Sequence, residues 1–182
     1  MPSAAPALAA PFIALTLLLA AAAVAADAPD PCAAFSWDVR QERALFAASP
    51  TMLAAGQTLA AAAVLVPGRM YELTLSPQSQ VSFAVPPGGH HQLEGAHAGL
   101  ARLTLPAGGL YRISLDQPAW VDVLANGAAI QSRDFQGRPG CNAPHKVVEF
   151  LLPAATPLTL QFSASAAARV RVSVTRSPQP PT

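Results

Sequence analysis

From residue 57 onward, hydrophobic and polar side chains alternate in short runs. In Gly109–Leu115, Tyr111, Ile113 and Leu115 fall on one face, and in Trp120–Leu124, Val121 and Val123 do the same. Successive side chains of a pleated strand point to opposite sides, so a period of two rich in Tyr, Ile and Val predicts β-strands. Asp116-Gln-Pro-Ala joins these two runs as a central hairpin, and Asn126-Gly127 marks a turn after them. The same reading predicts strands over 58–66 (alanine-rich), 70–75, 81–85, 100–105, 147–152, 158–162 and 170–174, with a poorer one over 128–135. Proline and glycine fall almost wholly between the runs, where a missing N–H is tolerated. A spacing of roughly ten residues without an intervening helical pattern predicts an all-β fold, an antiparallel, jelly-roll-like β-sandwich, rather than βαβ units.

One segment breaks the period. Over 35–48, Phe35, Val39 and Phe46 recur at near-helical spacing while Arg40, Glu42 and Arg43 fall on other sides, which predicts a short amphipathic helix. Ser36 is its expected cap and Ser49-Pro50 its expected end. Trp37 is read as packing. Arg169 and Arg171 alternate with Val170, Val172 and Val174, the pattern of an edge strand carrying charge on its solvent face. Residues 177–182 read as a disordered tail.

The ends and the cysteines place the chain. Residues 1–26 carry a short apolar run closing on Ala23-Val24-Ala25-Ala26, the form of a cleaved signal peptide, although no Lys or Arg precedes it. The run is shorter than the roughly 20 residues of a membrane span. The mature chain is therefore expected in the periplasm or outside the cell, without a span, as an N-terminal segment (27–56) and a sandwich (57–176). In an oxidising compartment, Cys32 and Cys141 are expected to form a disulfide.

Charge narrows the chemistry further. The formal net charge is +1, Lys146 is the only lysine, and the arginines are scattered, so no nucleic-acid or anionic-membrane surface is predicted. The acids are isolated, which excludes a calcium-type carboxylate loop. No nucleophile elbow, catalytic cysteine motif, phosphate-binding loop or dinucleotide fingerprint occurs.

Three of the four histidines fall in the loop 86–99. If 90–97 forms two helical turns, His90, Glu94 and His97 line one face and supply ligands for zinc or a similar ion, with His91 and His145 as further candidates. If the loop is extended, His90 and His91 point to opposite sides and the segment is a solvated connection, the reading that its glycines favour. Trp120, Tyr71 and Tyr111 offer aromatic faces for a sugar if they are exposed. Asp122 shares a strand face with Trp120 and is read as a surface residue or a partner of nearby backbone.

The words Gly109-Leu-Tyr-Arg-Ile-Ser-Leu-Asp-Gln-Pro-Ala-Trp-Val-Asp-Val123, Ser132-Arg-Asp-Phe-Gln-Gly137, Cys141, His145-Lys-Val-Val-Glu-Phe150 and Leu158-Thr-Leu-Gln-Phe-Ser163, with Trp37, Arg43 and Phe46, resemble a family of small secreted bacterial proteins of unknown function. Some members carry a homogentisate dioxygenase label, but that enzyme's His-x-His pattern differs from the adjacent His90 and His91 here. More loosely, the chain is similar to the β-sandwich modules appended to secreted peptidases. The resemblance implies a non-catalytic module, and the chain is read as a periplasmic binding or envelope-accessory module whose partner is an unidentified envelope protein or a glycan. The alternatives are a metal-binding protein or metal-dependent enzyme using the 86–99 loop, and a carbohydrate-binding module.

Overall fold

The computed structural model describes Met1, residues 30–88 and residues 93–178. The expected signal peptide lies outside the described residues, as do His90, His91 and the last four residues. Among the described residues the elements are one α-helix, α1 (Arg40–Phe46), three short 3-10 helices and twelve strands. These are β1 (Thr51–Ala54), β2 (Ala63–Leu65), β3 (Met70–Thr74), β4 (Ser76–Pro77), β5 (His97–Leu103) and β6 (Gly109–Leu115). They continue with β7 (Trp120–Ala125), β8 (Ala128–Ile130), β9 (Asp134–Gly137), β10 (Lys146–Leu152), β11 (Leu158–Ser165) and β12 (Arg169–Arg176). One sheet runs β1-β3-β12-β6-β10-β9 and the other β2-β5-β11-β7-β8, with β4 on β5. Between them lies one apolar core that includes Leu65, Leu73, Ile113, Leu115, Leu160 and Phe162. The all-β sandwich expected from the alternation is the fold. Its sheets are mixed rather than purely antiparallel, because β1 on β3 and β2 on β5 pair in parallel.

Residues 109–124 do not form a hairpin. Strand β6 pairs with β10 and β12, whereas β7 pairs with β11 and β8 in the opposite sheet. The 116–119 link crosses between the layers, so the alternating faces of both runs meet in the same interior. It is stitched to β12: the Arg171 amide donates to Asp116 Oδ1 at 2.9 Å, and Gln117 donates to the Arg169 carbonyl. The true hairpin is β7–β8. There Asn126 (φ 51°) and Gly127 (φ 78°) supply the two left-handed residues that a tight two-residue turn needs.

Nor is β12 an edge. It lies between β3 and β6, and residues 30–48 run across the outer face of its sheet. Cys32 is bonded to Cys141, with 5.0 Å between their Cα atoms, and this bridge fixes one end of that strap. Arg171 donates to the Phe46 carbonyl at 2.6 Å and lies over the Phe46 ring, so its charge caps the helix end instead of guarding an edge.

The helix is shorter than the sequence suggests. Ser36 does not cap it but accepts a hydrogen bond from Gln136, and Asp38 takes the Arg40 amide instead. The Arg40 guanidinium pulls the Asp38 carboxyl down to about 2. Glu42 is not on a polar side: Val39, Glu42 and Phe46 form the buried stripe, at spacings of i, i+3 and i+7. Beneath it, Glu42 Oε1 accepts from Thr175 at 2.7 Å and lies 3.8 Å from Arg112. Arg112 also bonds Glu149 Oε2 at 3.2 Å and the Asp38 carbonyl at 2.7 Å, and it lies under the Trp37 ring. Ser177, assigned to the tail by the sequence pattern, is held by Leu110 and Glu149.

Candidate functional site

Residues 81–85 alternate like a strand but do not join a sheet. They lie on the outer face of the β5–β11–β7 layer, where Val81 and Phe83 pack on Ala62, Ala98 and Leu100. Gln161, fully buried on β11, replaces the missing strand partner. Its Oε1 accepts from the amides of Ala84 and Val85 at 2.8 and 3.3 Å, and its Nε2 donates to the Val85 carbonyl at 3.2 Å. A buried amide that meets three backbone groups is costly to lose. Gln161→Leu is expected to speed hydrogen exchange at Ala84 and Val85 roughly 10–100-fold, the equivalent of about 1–3 kcal/mol per orphaned group, while β11 amides keep their protection.

This overlay ends at Trp120. The indole Nε1 donates to Asp122 Oδ1 at 2.7 Å, and Asp122 Oδ2 accepts the Gly88 amide at 3.1 Å. A Cβ on Gly88 would lie 2.8 Å from Asp122 Oδ1 and 3.2 Å from the indole nitrogen, so a larger residue here would push this pair aside. Asp122 is thus a positioning group for the ring, the backbone-bonded residue that the strand pattern suggested.

Beside the ring, one end of the sandwich opens as a cleft of about 350 Å³. Its walls come from both sheets: Pro118, Ala119 and Trp120 from the crossover and β7, Phe135 and Gly137 from β9, and His145 and Lys146 at the start of β10, with Leu93 and Ala164 at the rim. Three large apolar side chains stay open to solvent here, namely Trp120 (39%), Leu93 (50%) and Phe135 (63%). A smaller hollow under Trp120, Phe135 and Lys146 continues the cleft towards Val121 and Val148. Lys146 Nζ lies 5.2 Å from the Trp120 ring centroid and donates to the Ala119 carbonyl at 3.2 Å. Burial pushes its ammonium below the ordinary lysine value. His145 Nδ1 faces the Cys141 carbonyl at 3.2 Å, which fixes a proton on that nitrogen. The disulfide loop therefore holds one wall of the cleft.

The residues proposed for metal are placed differently. No helix spans 93–97: Glu94 and Gly95 form an exposed turn and His97 opens β5, where it faces Ser165 and Pro77. The i, i+4, i+7 face is therefore not formed over these residues, and glycine at φ 70° on position 95 accounts for the turn. Among the described residues, no three His, Cys, Asp or Glu side chains gather as a metal site. His145 lies in the cleft, and His90 and His91 are outside the described residues. Of the three aromatic candidates, Tyr71 and Tyr111 are buried. The Tyr71 hydroxyl takes the Val66 amide and the Tyr111 hydroxyl donates to the Ala107 carbonyl. Only Trp120 offers a face. Sequence reasoning missed Phe135 and Lys146, although an aromatic in the polar run Ser-Arg-Asp-Phe-Gln-Gly and the chain's single lysine were visible signals.

No helix among the described residues is long and apolar enough to cross a membrane. Comparison with protein-family models and with curated proteins gave no match.

Proposed function

We propose that this chain is an exported, non-catalytic binding module of the cell envelope, and that the Trp120–Phe135–Lys146 cleft is its ligand site. The observation that carries the reading is the solvent exposure of Trp120, Phe135 and Leu93 around one apolar hollow; both tyrosines are buried, and the other exposed large apolar side chains, such as Met52, Leu59, Val64 and Leu151, do not line it. Water is a poor solvent for such a surface, and covering it with an apolar group stabilises a complex by about 25 cal/mol per Å² before association costs. Asp122 is committed to Trp120 and Gly88 and His145 Nδ1 to the Cys141 carbonyl, which hold walls in place, while Lys146 spends one donor on Ala119. Such commitments suit binding better than proton transfer. The disulfide suits an oxidising compartment. A wall this apolar also favours a ligand with a hydrophobic body over a glycan, whose hydroxyls need polar partners.

The test is a neutral environment-sensitive dye, Prodan. A single saturable site with blue-shifted emission is expected, and Trp120→Ala combined with Phe135→Ser should weaken binding at least tenfold while the circular dichroism spectrum stays unchanged. Undiminished binding by that variant would remove the cleft from consideration.

A further inference from the structure

We propose that the ligand of this cleft is a small amphipathic anion, a flat apolar body with a carboxylate, with the body against Trp120 and Phe135 and the carboxylate on Lys146. This rests on the reading of the cleft as the binding site and adds the ligand's charge and shape.

The argument starts from Lys146. An ammonium carries three donors and no acceptor. One is spent on the Ala119 carbonyl, and no carboxylate among the described residues lies within ion-pair distance of the other two. The acid that shares its surroundings, Asp122, has one oxygen bound by the Trp120 indole and the other by the Gly88 amide. A half-buried cation in an apolar wall is expensive, and the nearby Asp122 charge offsets it only in part. The remaining contact is the Trp120 ring face, which stabilises a cation by about 0.5–2 kcal/mol and does not accept a directed hydrogen bond. An incoming carboxylate supplies what is missing: a charge-assisted hydrogen bond in a water-poor site. Shape follows from the same walls. Trp120 and Phe135, on opposite sheets, bound a hollow of about 350 Å³, a size that suits one small planar group.

The deciding experiment compares 2-naphthoate with 2-naphthamide, equal in shape and differing in charge, by calorimetry on the disulfide-intact chain. Naphthoate is expected to bind at least tenfold tighter. Lys146→Met should erase that preference, and Lys146→Arg, which keeps the charge, should retain most of it. Equal binding of the two probes, with Trp120→Ala weakening both, would overturn the anion inference and leave the cleft as the binding site. A preference that persists in Lys146→Met would likewise overturn it. If neither probe binds the wild-type chain, and Prodan does not either, both the inference and the cleft reading fall.

Discussion

Arg112→Met is expected to lower stability by about 3–5 kcal/mol, the usual cost of removing one partner from a buried charge cluster, seen as a fall in Tm on the order of 10 °C. The side chain is buried between α1 and its sheet, and among the described residues it is the only cation within ion-pair distance of Glu42, which is fully buried, and of Glu149. Methionine fills much of the same volume, so the loss reports charge rather than packing. Both carboxylates then remain in a water-poor layer. Glu42 keeps only the Thr175 hydroxyl, and Glu149 keeps only Ser177. The companion variant decides the cause. Replacing Glu42 and Glu149 by glutamine in the Arg112→Met background removes both orphaned charges and should recover at least half of the lost stability by denaturant titration. No recovery would mean that the guanidinium acts through its contacts with Trp37 and the Asp38 carbonyl instead.

The second large effect belongs to the bridge. The cysteines are 109 residues apart in sequence, so opening the loop in Cys32→Ser/Cys141→Ser releases unfolded-chain entropy equivalent to about 4–5 kcal/mol. Small domains have roughly 5–15 kcal/mol in all, so this variant should unfold at markedly lower denaturant. Its loss and that of Arg112→Met should sum to less than the two separately, since both release the same strap over β12 and β6. Because the loop on the Cys141 side carries His145, the variant should also bind Prodan more weakly below its unfolding transition. Affinity equal to wild type would show that the cleft wall stands without the bridge.

Local pattern and partnership were unequally legible in the sequence. Alternation marks β3, β6, β7, β10, β11 and β12 because each has one face in the core. It carries no information on neighbours, which is why 109–124 reads as a hairpin when its halves lie in opposite sheets. Residues 81–85 alternate for a different reason: they lay one face on a sheet that is already complete, with Gln161 in place of a strand. Strand β1 was not legible, since three of its four residues are exposed. Glu42 was legible and misassigned, because helical spacing puts it with Val39 and Phe46 while its charge suggests solvent. The cleft draws on separate strands of two sheets, so only its pieces, such as Trp120 beside Asp122, show in one dimension.

The place of β12 has a consequence for the order in which the chain can fold. This strand, the last in the described chain, is the one that joins β3 to β6. Until it arrives, β1 and β3 have only each other in their sheet, and a two-stranded parallel pair is unstable alone. In a chain emerging amino-end first from a ribosome, β1 and β3 therefore wait for the last strand, whereas the sheet β2-β5-β11-β7-β8 does not depend on it. The β1–β3 side of the other sheet closes only once β12, ending at residue 176, is free to pair. Pairing between strands so far apart in sequence makes that closing step slow.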